Sequence, residues 1–339
     1  MPERRRRVTL RDLADDTGLS PAAVSYALRG LHVPVETQAR VREAADRLGY
    51  QVDPIARALA LGRTDTVGVL CGSLDDIWQQ SVAALLGRRL LEAGRMALIV
   101  DAANDPEREE TLAQRLVDQR VDALIALPVD PRASHWAVNA TATALVSIGD
   151  ALPGAATAAE VTFDNVRGVT DGLEQLAAAG HRRVAVLTPS DRATPDRPAE
   201  QVVSRVAPEL GLTATLRTTP HDLDGASAAI CELLQQPDPS RRPTGMLCLA
   251  DSIAFGVYDA AQRLGLSVPR DLSVIGYDDL PVSRLLSPPL STYHWPVADL
   301  VDAVVTRTVA AIDEGRTSRR KVLRPERVER GSVAPPPSE

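Results

Sequence analysis

A chain of 339 residues has room for two lobes and a small module, and 44% apolar with 24% charged residues marks it as globular rather than disordered or fibrous. No apolar run approaches the roughly 18 residues that cross a bilayer, and MPERRRRVTL has a leader's charge without its apolar stretch, so the expected location is the cytoplasm. The net charge of −7 is uneven: residues 1–63 hold eleven Lys/Arg against eight Asp/Glu, and the rest carries −10, so an anionic partner is indicated for the head alone.

With only 3% aromatic residues, the core must be built from Ala, Val, Leu and Ile. Cys71, Cys231 and Cys248 are isolated and form no CxxC pair. They are expected to be reduced core thiols, neither disulfides nor metal ligands.

Thr9 reads as the cap of a first helix, with Asp12 placing a carboxylate at its positive end and Leu10, Leu13 and Ala14 on one face. Gly18 stops it, and Ser20-Pro21 restarts the chain as a cap followed by proline at the first helical position. Val24, Ala27 and Leu28 face inward on the second helix, and Val41, Ala44, Ala45 and Leu48 on a third, expected over 36–48 and closed by Gly49. Two short helices joined by a glycine turn form a helix-turn-helix, whose second helix can enter a DNA major groove. Its outer side would carry Pro21, Ala22, Ser25, Tyr26 and Arg29, with phosphate attraction left to Arg11 and the arginines at 4–7. A plain three-helix packing module shares this spacing, so spacing alone leaves both readings open.

The stretches "TLRDLADDTGLSPAAVSYALRG" and "VETQARVREAADRLGYQVDPIARALALGRT" resemble the headpiece and hinge of the lactose-repressor/galactose-repressor family of bacterial transcription regulators. The resemblance implies base reading by Pro21, Ala22 and Tyr26, with Tyr26 standing where an arginine is usual. Thr9, Leu10, Ser20, Ser25, Arg29 and Thr37 complete the expected DNA contacts. It further implies that "DPIARALALGRT", residues 53–64, is a hinge helix that folds only on DNA, paired with its dimer mate in the minor groove. Leu59 would wedge between base pairs there, Ala56 would allow close approach, and Arg57 would lie on the groove side.

From Val67 onward, the apolar runs VGVLCG, MALIVD, VDALIALP, TALVSIG, RRVAVLTP, GMLCLA and LSVIGYDD alternate with helical stretches near 78–93, 106–119, 165–179, 196–210, 224–236 and 251–264. This is the alternation of doubly wound parallel sheets. Neither GxGxxG after the first strand nor GxxxxGK[ST] occurs, so the nucleotide fingerprints are absent. Ligands in such sheets sit beyond the carboxyl ends of the strands, where Ser73, Leu74, Asp75, Asp101, Pro128, Asp150, Thr188, Asp251 and Asp278 fall. An Asp-rich set suits a hydroxylated or cationic small molecule, although any one Asp is equally read as a helix cap.

The body also resembles that family, through "FDNVRGVTDGLEQLAAAGHRRVAVLT" and "CLADSIAFGVYDAAQRLGLSVPRDLSVIGYDDLPVSRLLSPPLST". The implied architecture is an all-α helix-turn-helix headpiece with a hinge helix, then a two-lobed α/β effector domain like the periplasmic binding proteins. The expected divisions are 1–50 for the headpiece, 51–64 for the hinge and 65–332 for the effector and dimerisation domain. The first lobe would take 65–162 and 293–322, the second 163–292 and 323–332, and 333–339 would be a disordered tail. Effector contacts are implied at Leu74, Asp75, Arg197, Asp251, Asp278 and Trp295, with Trp295 replacing a frequent glutamine and Ala250 a frequent polar residue. Trp295 could stack on a flat ligand or fill the core.

The expected function is a DNA-binding regulator, a repressor controlled by a sugar-like, polyhydroxylated effector. Its partners would be near-palindromic operator DNA, that effector and a second copy of the chain, with nucleoid association and no cofactor. A solute-binding protein of the same body fold would need a signal peptide and no reading head. An enzyme would need a convergent catalytic set, and His32, His135, His181, His221 and His294 show neither ligand spacing nor a Ser/His/Asp order.

Overall fold

The computed structural model describes residues 8–51, 58, 62–189, 194, 196–236 and 242–337. The chain divides into two units, Met1–Thr64 and Asp65–Glu339. In the first, α1 (Leu10–Thr17), α2 (Pro21–Leu28) and α3 (Val35–Leu48) enclose Leu13, Ala14, Val24, Ala27, Val41, Ala44 and Ala45. The capping chemistry is explicit. Thr9 Oγ1 accepts from the Asp12 N–H at 3.3 Å while the Thr9 N–H donates to Asp12 Oδ2 at 2.8 Å, a reciprocal box that satisfies two free amides of α1. Ser20 Oγ accepts from the Ala23 N–H at 3.2 Å at the head of α2, and Gly18 and Gly49 close α1 and α3 at φ 66° and 68°. Arg47 of α3 pairs with Asp16 of α1 at 2.6 Å. Ala56, Arg57 and Leu59 of the expected hinge helix lie outside the described residues.

The second unit contains two sheets. The first has the order β11-β5-β4-β3-β1-β2, all parallel, with β1 Thr66–Cys71, β2 Met96–Asp101, β3 Ala123–Ala126, β4 Ala144–Gly149, β5 Ala159–Phe163 and β11 Lys321–Leu323. Its inner strands are apolar on both faces because helices cover both. Val67, Val69 and Cys71 pack with α4 (Ile77–Glu92) and α11 (Val297–Glu314), while Leu70, Leu124 and Leu145 pack with α5 (Pro106–Asp118) and α6 (His135–Ala142). The second sheet has the order β7-β6-β8-β9, with β6 Arg183–Thr188, β7 Thr213–Thr218, β8 Gly245–Cys248 and β9 Ser273–Ile275. Val184 and Val186 of β6 join the same cluster as residues of α7 (Asn165–Ala178) and α8 (Ala199–Glu209). On the opposite face, Ala185 and Leu187 meet α9 (Leu223–Leu234) and α10 (Asp251–Arg263). Helices α6 and α11 and strands β5, β7 and β11, with the short strands β10 (Thr292–His294) and β12 (Glu326–Val328), add to the elements expected from the sequence.

The chain passes between the lobes three times: from β5 into α7, through β10 (Thr292–His294), and from β11 into β12 (Glu326–Val328), which pairs antiparallel with β10. The expectation of a disordered tail fails for residues 333–337, which are placed. Ser273 Oγ donates to the Ala334 carbonyl at 2.9 Å and accepts from its N–H at 3.0 Å, and His181 Nε2 lies 3.1 Å from the same carbonyl. The buried pair Ser273 and His181 needs these partners, so the segment is held like one more strand at the edge of β9.

Candidate functional site

Two sites emerge, one on each unit. On the headpiece, α2 buries Val24 and Ala27 and leaves Pro21, Ala22, Tyr26 and Arg29 exposed, with Ser25 half-buried. Tyr26 is 43% exposed, and its ring meets His32 edge-on at 5.9 Å, which limits its swing. Ser20 and Thr9 spend their hydroxyls as helix caps, Leu10 packs against the headpiece core, and Thr37 is half-buried on α3.

The body holds a cavity of about 700 Å³ between the carboxyl ends of the two sheets. Its floor is aromatic. Trp295 tilts against Phe163 with centroids 4.4 Å apart and meets Tyr277 at 5.4 Å, and Phe163 meets Trp78 at 5.5 Å. All four rings line the cavity, although the chain has only ten aromatic residues. Trp295 is buried in the core cluster and also lines the cavity.

Arg197 heads α8 on the second lobe and reaches across to the first. Its Nε donates to Asp150 Oδ2 at 2.9 Å, and its Nη2 and Nη1 donate to the Pro128 and Val129 carbonyls at 2.7 and 3.3 Å. Thr194 Oγ1 donates to the other oxygen of Asp150 at 2.9 Å, and the Ala151 N–H donates to Asp196 at 3.0 Å. Burial pushes the Asp150 carboxyl up, and the facing guanidinium pulls it back. The arginine thus ties the lobes along one wall of the cavity.

Three of the expected effector contacts do not line the cavity. Asp75 is exposed and lies outside the lining, because the chain turns one residue later: Asp76 caps α4 through the Trp78 N–H at 2.9 Å and faces the cavity instead. Leu74 packs against the core and does not line the cavity. Asp251 is fully buried and spent within the protein, accepting from the Leu280 N–H at 2.8 Å, Ser283 Oγ at 2.5 Å and Thr292 Oγ1 at 2.6 Å. Burial still holds its carboxyl above the usual range despite these donors. Arg197, Asp278 and Trp295 do line the cavity. Asp278 sits at φ 125°, a conformation side chains rarely adopt, held by its N–H donating to the Tyr293 carbonyl at 2.8 Å.

Sequence reasoning missed Glu109, on α5 and wholly buried, whose two oxygens accept from the Val129 and Asp130 N–H groups. It thereby fixes the loop whose carbonyls receive Arg197. Burial chiefly raises its carboxyl to about 7 and Asp130 adds to this, while the two amides and Arg197 oppose it. His135 Nε2 lies 3.9 Å away, and burial lowers its own pKa. A carboxyl that folds with a raised pKa stabilises the native state below its ordinary value, and this stabilisation is lost as pH rises through 7. Native stability should therefore fall between pH 5 and 8 by a contribution on the order of 3 kcal/mol. In Glu109→Gln, denaturant titrations across that range should lose this slope.

Residues 173–333 match the family described as periplasmic binding protein-like domain. Over nearly its whole length the chain is similar to the ribose operon repressor of Haemophilus influenzae, with 29% identity covering 96% of this chain and 98% of that one. It is equally similar to the transcriptional regulator MalR of Streptomyces coelicolor, at 29% over 97% and 98%. Among solved structures, the lac repressor dimer bound to operator and the anti-inducer ONPF superposes with a TM-score of 0.82 at 23% identity, covering 97% of this chain and all of that one. The fold and the paired sites define a two-lobed binding body joined to a helix-turn-helix head. Over nearly its whole length the chain is thus similar to operon repressors and transcriptional regulators.

Proposed function

We propose that the protein is a repressor that reads a near-palindromic operator as a homodimer and is controlled by a small polyhydroxylated effector held between its lobes. The observation that carries this reading is the cavity itself: aromatic rings, carboxylates and Arg197 converge from both lobes at the carboxyl ends of two parallel sheets. Relatives named as ribose operon repressors and a family structure with bound ribose support the effector class. A ligand that bridges the lobes must favour one arrangement of them to have any effect, and the Arg197–Asp150 tie is the contact it would have to complete or displace.

A second copy accounts for exposed apolar residues on both lobes. Leu91, Met96, Leu98 and Ile99 lie on and beside β2 at the sheet edge, and Val282 and Leu285 lie on the second lobe. Leu285 is 82% exposed. Leu59, Ala56 and Arg57 take the minor-groove role in this proposal, and Pro21, Ala22 and Tyr26 the major-groove role.

The test is selection of sites from random DNA by the full-length protein. Enrichment of a palindrome with a fixed central step supports the dimeric repressor, and absence of any enriched site at moderate salt, with or without metabolite extract, removes it. On an enriched site, Tyr26→Ala should relax preference at particular bases by about 1–3 kcal/mol. An unchanged preference would take Tyr26 out of the reading set.

A further inference from the structure

We propose that the effector carries an ammonium group, seated between Asp76 of the first lobe and Asp278 of the second and against the Trp295 ring. This rests on the effector reading above and narrows it from a polyhydroxylated molecule to a hydroxylated amine.

The charge balance of the cavity is the starting point. Among the described residues, Asp76, Asp150, Asp196, Glu200 and Asp278 line it, and the one guanidinium among them, Arg197, is consumed by Asp150 and two carbonyls. Asp196 has the Ala151 N–H at 3.0 Å and the Arg320 guanidinium at 3.7 Å. Asp76 and Asp278 pair with no guanidinium among the described residues. Asp76 is only 9% exposed, and one of its oxygens serves the Trp78 N–H while the other meets no donor among the described residues. The side chain of Asp278 accepts a single long contact of 3.4 Å from the Asp251 N–H.

Two sparsely hydrogen-bonded carboxylates with no counter-charge are costly in a partly desolvated cleft. The hydroxyls of a neutral polyol could donate to them but would leave the charge in place. An ammonium supplies several donors and the missing charge together, through charge-assisted hydrogen bonds. The aromatic floor acts in the same direction, because Trp295, Phe163 and Trp78 line the cavity and a cation seated over a ring face is attracted to it. The strained backbone at Asp278 keeps that carboxylate on the cavity wall. Burial and the neighbouring carboxylates Asp251 and Asp76 push the Asp278 carboxyl well above its ordinary range, and a cation seated beside it would draw it back toward the charged form.

The test uses the full-length protein and matched probes: glucosamine with glucose, galactosamine with galactose, and 1-amino-1-deoxysorbitol with sorbitol. Binding is followed by calorimetry, and operator affinity is measured with and without each probe. At least one amine should bind about 100-fold more tightly than its hydroxyl counterpart. That preference should shrink at least tenfold in Asp278→Asn and in Asp76→Asn, the second variant keeping an acceptor for the helix cap. A panel in which no amine outbinds its neutral partner overturns the proposal, as does a preference unchanged in both variants. A neutral sugar that binds and shifts operator affinity would overturn the charge assignment while leaving the effector reading standing. An amine that binds with the expected preference but leaves operator affinity untouched would do the reverse.

Discussion

Asp251→Ala should lower the stability of the body by about 3–5 kcal/mol, measured as a shift of the denaturant midpoint at constant slope. The side chain is wholly buried at the head of α10, and its two oxygens gather the Leu280 N–H and the hydroxyls of Ser283 and Thr292. These donors belong to the loop after β9 and to β10, so one carboxylate ties α10 to the strand that crosses between the lobes. Alanine would orphan all three donors in a dry site, and each unsatisfied group costs about 1–3 kcal/mol. Asparagine keeps one acceptor and brings two donors, so Asp251→Asn should lose less and remain folded. Its affinity for any cavity ligand should change little, because Asp251 does not line the cavity. A large loss of ligand affinity in the folded asparagine variant, with stability intact, would restore the effector-contact role that the sequence resemblance implies.

This contrast shows what a one-dimensional reading can reach. The headpiece was legible almost residue by residue, because caps, proline at the helix start and glycine stops act over three or four positions. The alternation of strands and helices was legible in outline from apolar runs, while α6, α11 and the strands β5, β7, β10, β11 and β12 did not emerge from them. The site was less so. Whether Asp75 or Asp76 faces the cavity turns on which of them caps α4, a rotation that strand-end counting does not resolve. Asp251 stands at a strand end as expected, but its donors come from Leu280, Ser283 and Thr292, at least 29 residues away. The partner of Arg197 is 47 residues upstream on the other lobe, and nothing local announces the pairing. Phe163, Tyr277 and Trp295 gather into one floor only once both sheets are placed. The α11 pattern, by contrast, was present in the sequence: Val297, Leu300, Val301, Val304, Val305 and Thr308 repeat at helical spacing, and all but Val297 are buried.

Gly168→Ala should be nearly as damaging, although a helix interior ordinarily gains about 1 kcal/mol from that change. Gly168 lies in α7 directly under Tyr277, and a methyl added there would stand 1.7 Å from the Tyr277 hydroxyl and 2.7 Å from its ring carbon Cζ. The tyrosine has nowhere to go, being 4% exposed and packed against Tyr293 and Trp295 at 5.4 Å each. Overpacking of this kind costs about 1–3 kcal/mol when neighbours yield a little, and more when they cannot. Because Tyr277 lines the cavity, the same methyl should weaken ligand binding as the floor tilts. A double-mutant cycle isolates the clash. Tyr277→Phe removes the hydroxyl at 1.7 Å but leaves the ring carbon, so it should recover part of the loss in the Gly168→Ala background and none in the parent. Tyr277→Leu, which clears both atoms, should recover more of the stability while still losing the ligand. If neither second change helps, the glycine is serving the pitch of α7 rather than the tyrosine above it.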